Sequence, residues 1–173
     1  MTLFFPPFYD YTVTNELRGR VIGGRQPAPA IIGDRSYMPQ LTVKNPPFIR
    51  TDFSDEKAWR DLLAAVRVKS EDGFLANLSV VDYPLFDGIA AGDLAQSVEK
   101  REPHHAVMFI ADRLTLTHAD RPILCIPPSQ PQKAFRVIPS ELWGVENNLT
   151  LANMDWEDFS GCVDADGIFR GFV

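Results

Sequence analysis

Thr51-Asp52-Phe53-Ser54-Asp55 sets two carboxylates and two hydroxyls within one short stretch, just after Phe48-Ile49-Arg50. Three other polar clusters follow apolar runs in the same way. They are Asp82-Tyr83, Asp112-Arg113 with His118 a little further on, and Ser140-Glu141 with Glu146. Carboxylates and an imidazole so placed can exchange protons with a bound molecule, because histidine titrates near neutrality and burial can bring a carboxylate toward it. The same residue types cap helices and end strands, so each cluster also has a purely structural reading.

His118, in ADRLTLTHADRP, is the best single candidate for proton transfer, with Asp112 or Asp120 to orient it. The alternative is a surface histidine paired with Asp120. Glu146 or Asp52 would serve as the second acid–base group. Trp143, Asn147 and Asn148 would shape a small-molecule pocket, the indole giving an apolar wall and the amides fixing orientation. The competing structural reading has Trp143 filling core, Asn147 or Asn148 ending a helix, and Asn153 capping the next turn. Arg136 and Arg170 could grip an anionic group bidentately, or pair with Glu141, Glu146 or Asp155. Structural pairing is the favoured expectation for both.

Other chemistries find less support. Asp52, Asp82 and Asp112 could converge on a magnesium-like cation. However, the chain has no Asp-x-Asp nucleophile motif and no strand-end lysine to hold a phosphate. His104-His105 lack a third histidine and read as a solvated turn, so no metal is assigned. Cys125, within ILCIP, and Cys162 read as buried small hydrophobes in a reducing compartment. Ser140 opens a helix and has no Gly-x-Ser-x-Gly elbow around it. GRVIGGRQP lacks the lysine of a phosphate-binding loop, and Asp164-Ala165-Asp166-Gly167 is half of a calcium loop that reads as a turn. No cofactor is expected.

The elements that must position these residues are legible from periodicity. Trp59, Leu62, Leu63 and Val66 recur at helical spacing behind Ser54, which is read as the cap, with Asp55 and Glu56 in the first turn. Apolar runs at 48–51, 77–81, 106–111, 123–126 and 134–138 read as strands, and 168–172 as a closing edge strand. The unalternating AVMFIA suits a strand covered on both faces. Weaker helical patterns lie at 88–98, after Pro139 and after Asp155. Strands alternating with helices predict an α/β fold. The expected form is a single three-layer sandwich with a mostly parallel or mixed sheet of about five strands and helices on both faces. A hairpin between 126 and 134 would make that sheet mixed.

Residues 1–47 read as an irregular, proline-rich and aromatic arm, and 48–173 as the single α/β domain. Short strands are expected at 9–14 and 19–22. Phe4, Phe5, Phe8, Tyr9 and Tyr11 are too aromatic for a solvated tail, so the arm is expected to wrap the body or a second subunit as a homodimer. The net charge of −6 and the absence of basic runs argue against nucleic-acid and anionic-membrane partners. The opening MTLFFPPFYDYTV lacks the basic and apolar regions of a signal peptide, which makes the cytoplasm the expected location.

Across roughly 125 residues the chain resembles a family of small, functionally uncharacterised proteins. The resemblance is carried by FIRTDFSDEKAW, EDGFLANLSVVD, FIADRLTLTHADRPIL, FRVIPSELWGVENNLTLANMDW and VDADGIFRGF. It implies a shared domain and carries over no catalytic residues. The residues themselves point to a cofactor-independent enzyme doing acid–base chemistry on a small organic molecule, of isomerase, cyclase, lyase or hydrolase type. The alternative is a non-catalytic interaction or immunity-type module that binds a partner through its aromatic arm and acidic surface.

Overall fold

Tyr11–Thr14 and residues 40–172 are described by the computed structural model. The expected strand at 19–22, most of the arm's aromatic residues and the dimer contact assigned to the arm lie outside the described residues. β1 (Tyr11–Thr14) pairs antiparallel with β2 (Gln40–Val43). Leu41 and Val43 of β2 are buried in the core with Ile49 and Ile110.

The body is an α/β fold around a six-stranded mixed, mostly parallel sheet. In chain order the strands are β3 (Pro47–Arg50), β4 (Ser79–Val81), β5 (Met108–Ala111), β6 (Ile123–Ile126), β7 (Phe135–Val137) and β8 (Ile168–Phe169). In space they run β4-β3-β5-β6-β7-β8. Only β6 runs against its neighbours. The β6–β7 hairpin therefore forms as expected, and β5–β6 adds a second reversal.

Helices cover both faces. α1 (Glu56–Val66) lays Trp59, Leu62 and Val66 on one face, where they meet Phe48, Phe109 and Phe135. α2 (Ala91–Arg101) lays Leu94, Ala95 and Val98 on the other, with Leu41, Ile49 and Ile110. β5 explains its own unalternating sequence: Phe109 and Ala111 enter the first core, while Met108 and Ile110 enter the second. α3 (Arg113–Thr117), α4 (Leu142–Thr150) and α5 (Trp156–Ser160) join α1 on its face.

Local chemistry sets the helix ends. Asp55, not Ser54, caps α1, accepting from the Ala58 amide at 2.8 Å. Ser54 instead gives both its amide and its hydroxyl to Asp52. Asp112 with Thr115, and Asp155 with Asp158, close reciprocal boxes that satisfy orphan amides at the starts of α3 and α5. α4 runs past Asn147 and Asn148, and the left-handed residue beyond its end is Ala152, at φ 53°.

Candidate functional site

The strand order reverses between β3 and β5. The chain leaves β3 for β4 on one side, then crosses behind to β5 on the other. In open α/β sheets that reversal opens a crevice outside the carboxyl ends of the two strands. A cavity of about 470 Å³ lies there, lined by Thr51, Asp52, Phe53, Ser54, Asp87, Gly88 and Arg113.

Each wall has a local cause. Thr51 donates its amide to the Ala111 carbonyl at 2.9 Å, so the two strand ends stay together. Gly88 donates its amide to the Thr51 carbonyl at 2.9 Å, which folds the segment after β4 across the end of β3. Its φ of +69° suits glycine. Asp87 accepts from the Phe53 amide at 3.3 Å. Asp52 is nearly buried, and only its Oδ1 is held, by Ser54. Its Oδ2 has no hydrogen-bond partner among the described residues. Arg113 likewise forms no ion pair with a described residue. A carboxylate and a guanidinium residue with spare hydrogen-bonding capacity among the described residues therefore line one small cavity.

Beside the crevice lies an arginine that the sequence reading does not single out. Arg50, the last residue of β3, is 2% exposed. Its Nε donates to the Asp52 carbonyl at 2.9 Å, and its Nη1 reaches Glu56 at 2.7 Å and Asp82 at 3.3 Å. Phe53 and Trp59 sit within cation–π range of the guanidinium, at 4.2 and 5.3 Å. Trp59 Nε1 donates to the other Asp82 oxygen at 2.8 Å. Nη2 is buried with no hydrogen-bond partner among the described residues. An arginine ending an apolar strand before FSDEKAW is the available signal, but nothing local to it points to Asp82.

The acids that could converge on a cation follow adjacent strands, but two of the three are engaged by other side chains. Asp82 is engaged by Arg50 and Trp59. Asp112 is gripped by Arg136 through both carboxylate oxygens. Burial pushes the Asp112 carboxyl up, but the Arg136 and Thr115 contacts outweigh it and hold the group below the ordinary aspartate range. Arg136 also donates to the Pro122 carbonyl at 2.9 Å. The arginines do pair structurally, though not with Glu141, Glu146 or Asp155. Arg136 takes Asp112, and Arg170 takes Asp120 and Asp164.

His118 follows α3, whereas Asp112 opens it. His118 Nδ1 accepts from the Asp120 amide at 3.1 Å and lies 3.9 Å from the Asp120 carboxylate, so these partners belong to its own loop. Glu146 is 2% exposed, and burial raises its pKa. It accepts from the Asn77 amide at 2.9 Å and the Thr150 hydroxyl at 3.0 Å. Asn77 precedes β4, whereas Asp52 follows the parallel β3, so the two carboxylates stand at opposite ends of the sheet.

Trp143, Asn147 and Asn148 all lie on α4. The two amides donate back to the Trp143 and Gly144 carbonyls at 2.8 Å, and Asn147 also reaches Leu75 at 3.3 Å. Trp143 stacks on Phe74 at 5.3 Å. It lines a second, open cleft of about 620 Å³ with Val68, Lys69, Glu71, Asp72, Ser140 and Glu141. The sequence candidates are thus divided between two places: Asp52 at the crevice, Trp143 at the cleft. Among the cysteines, Cys125 is buried, which pushes its thiol up, but Cys162 is exposed, unlike the reading of both as buried. His104 is exposed as expected for a turn, whereas His105 is buried against that expectation.

Fold and crevice together define a small α/β domain with one polar pocket at a strand-order reversal. The chain belongs to the family described as the domain of unknown function DUF6924, whose profile matches residues 45–172. The match begins inside the packed body, two residues before β3. No curated protein matches the chain. No helix among the described residues is long and apolar enough to cross a membrane.

Proposed function

We propose that the chain is an enzyme that binds a small carboxylate-bearing molecule in the β3–β5 crevice and turns it over by acid–base chemistry. Arg113 anchors the anionic group of the substrate. Asp52 accepts and returns the proton, its Oδ1 held in place by Ser54. Thr51 and the Asp87-Gly88 segment form the walls, and the chemistry calls on no cofactor. The observation that carries this reading is that one cavity is lined by Asp52, one of whose carboxylate oxygens is unengaged among the described residues, and by Arg113, which forms no ion pair among them. His118 and Glu146, the other proton-transfer candidates, are engaged elsewhere.

The test is a thermal-shift screen of small carboxylates against matched neutral amides, followed by turnover assays on the carboxylates that bind. Carboxylates raise Tm in the wild type and not in Arg113→Ala. Asp52→Asn keeps the binding shift and loses roughly a hundredfold or more in turnover, the usual contribution of a positioned acid–base group. Binding indifferent to both substitutions overturns the proposal.

A second reading is partner binding at the Trp143 cleft, in place of the aromatic arm, most of which lies outside the described residues. Val68, Phe74 and Leu75 are exposed around the Trp143 cleft, which also carries Glu71, Asp72 and Glu141. An apolar rim with acidic walls suits a basic, apolar peptide segment. Phe74→Ser would weaken capture of such a peptide while leaving carboxylate binding at the crevice intact.

A further inference from the structure

Glu102, Pro103, His104 and His105 form a tight turn between α2 and β5. The turn is closed by the His105 amide donating to the Glu102 carbonyl at 3.1 Å. Pro103 holds its second position with φ already set for a turn. The turn gathers three donors: a Glu102 carboxylate oxygen and one ring nitrogen from each histidine lie within 4.8 Å of one another. Glu102 Oε2 stands 3.6 Å from His104 Nδ1, and the imidazoles are 4.1 Å apart between ring centroids.

His105 is the unusual member. It is 5% exposed, and its Nε2 is sealed from solvent with no hydrogen-bond partner among the described residues. A buried imidazole nitrogen without a partner forfeits a hydrogen bond that water would have supplied.

We propose that Glu102, His104 and His105 bind a divalent transition-metal ion of the zinc class. Two imidazoles and one carboxylate match the nitrogen–oxygen preference of zinc, and the fourth position is left to water. Metal–donor bonds near 2.1 Å set tetrahedral donors about 3.4 Å apart, so the cluster must contract by roughly 1 Å. His104 can supply that movement because its side chain is 58% exposed, whereas buried His105 is the fixed anchor. The ion would tie the end of α2 to the entry of β5, beside β2. His105 precedes β5 and Asp52 follows the parallel β3, roughly 25 Å away along the strands. The site is therefore independent of the crevice and of the function proposed for it.

The experiment is calorimetric titration of the chelator-treated full chain with zinc chloride, with cobalt(II) absorption reporting the coordination geometry. One ion binds per chain, magnesium does not replace it, and zinc raises Tm. His104→Ala, a surface change that leaves circular dichroism unaltered, weakens zinc at least tenfold and removes the cobalt spectrum. His118→Ala, Cys162→Ser and Asp52→Asn leave both unchanged. Absence of zinc binding, binding that His104→Ala does not affect, or binding lost in Cys162→Ser or His118→Ala each overturns the proposal.

Discussion

Arg50 and Arg136 occupy comparable positions and have different fates. Each lies on a strand and meets an aspartate that follows another: Arg50 takes Asp82 after the adjacent β4, whereas Arg136, on β7, reaches past β6 to Asp112 after β5. Arg136 is partly exposed, and its hydrogen bonds converge on one place: both Asp112 oxygens, the Thr115 hydroxyl and the Pro122 carbonyl. It is a clamp that holds the α3 cap to the start of β6. Arg50 is buried, distributes its bonds among Asp52, Glu56 and Asp82, and has no partner for Nη2 among the described residues. One arginine closes a local structure; the other coordinates three segments around the crevice loop. Buried cations cost most when their partners are removed, so the two should differ in energy as well as geometry.

Arg50→Met gives the largest expected effect. It leaves Asp82 with only the Trp59 N–H of the two partners described, and frees the Asp52 carbonyl. A loss of about 3–4 kcal/mol in urea unfolding is expected, in the range for breaking a buried pair. A smaller loss than that of Arg136→Met would break the comparison. Arg136→Met is expected to cost about 2 kcal/mol, since its hydrogen bonds to a charged group are partly solvated.

The same variant has a signature in pH. Asp112 is held below its ordinary range, so its contribution is complete above the ordinary aspartate value and is lost as pH falls through the lowered one. Removing Arg136 should flatten that acid limb of the stability curve; an unchanged limb would mean that Arg136 does not hold the carboxyl down. The smallest expected effect is that of Gly88→Ala. A Cβ there meets nothing within 4 Å, so the cost is only that of a left-handed backbone, about 1 kcal/mol. A weakened carboxylate shift in the same variant would tie the loop's conformation to binding.

Much of the fold was legible because its signals are local. The Trp59-Leu62-Val66 stripe, the two-sided apolar run of β5, the Pro139 break and the Asp155 cap each depend on neighbours a few residues away. α3 was missed because a five-residue helix is too short to show a period. The cap of α1 moved by one residue because Ser54 and Asp55 are both competent, and Asp52 claimed Ser54. The site was harder to read. Asp52 was marked, but Asp87 and Gly88 reach it only through the return of the chain across β3. Glu146 looked equally suited to proton transfer, and only the parallel pairing of β3 with β4 shows it at the far end of the sheet. His105 is polar by type and buried by position, which no local pattern reveals.

The reversed strand β6 has a consequence for how the molecule is assembled. Running against its neighbours, it lets β5, β6 and β7 join as a meander, in which the Arg136–Pro122 contact closes a loop of 14 residues. The Thr51–Ala111 contact that seals β3 to β5 closes one of 60. Short loops form at lower entropic cost and earlier. Loop entropy alone therefore favours the meander forming before β3 docks, and the crevice, whose walls come from both, is expected to be completed late.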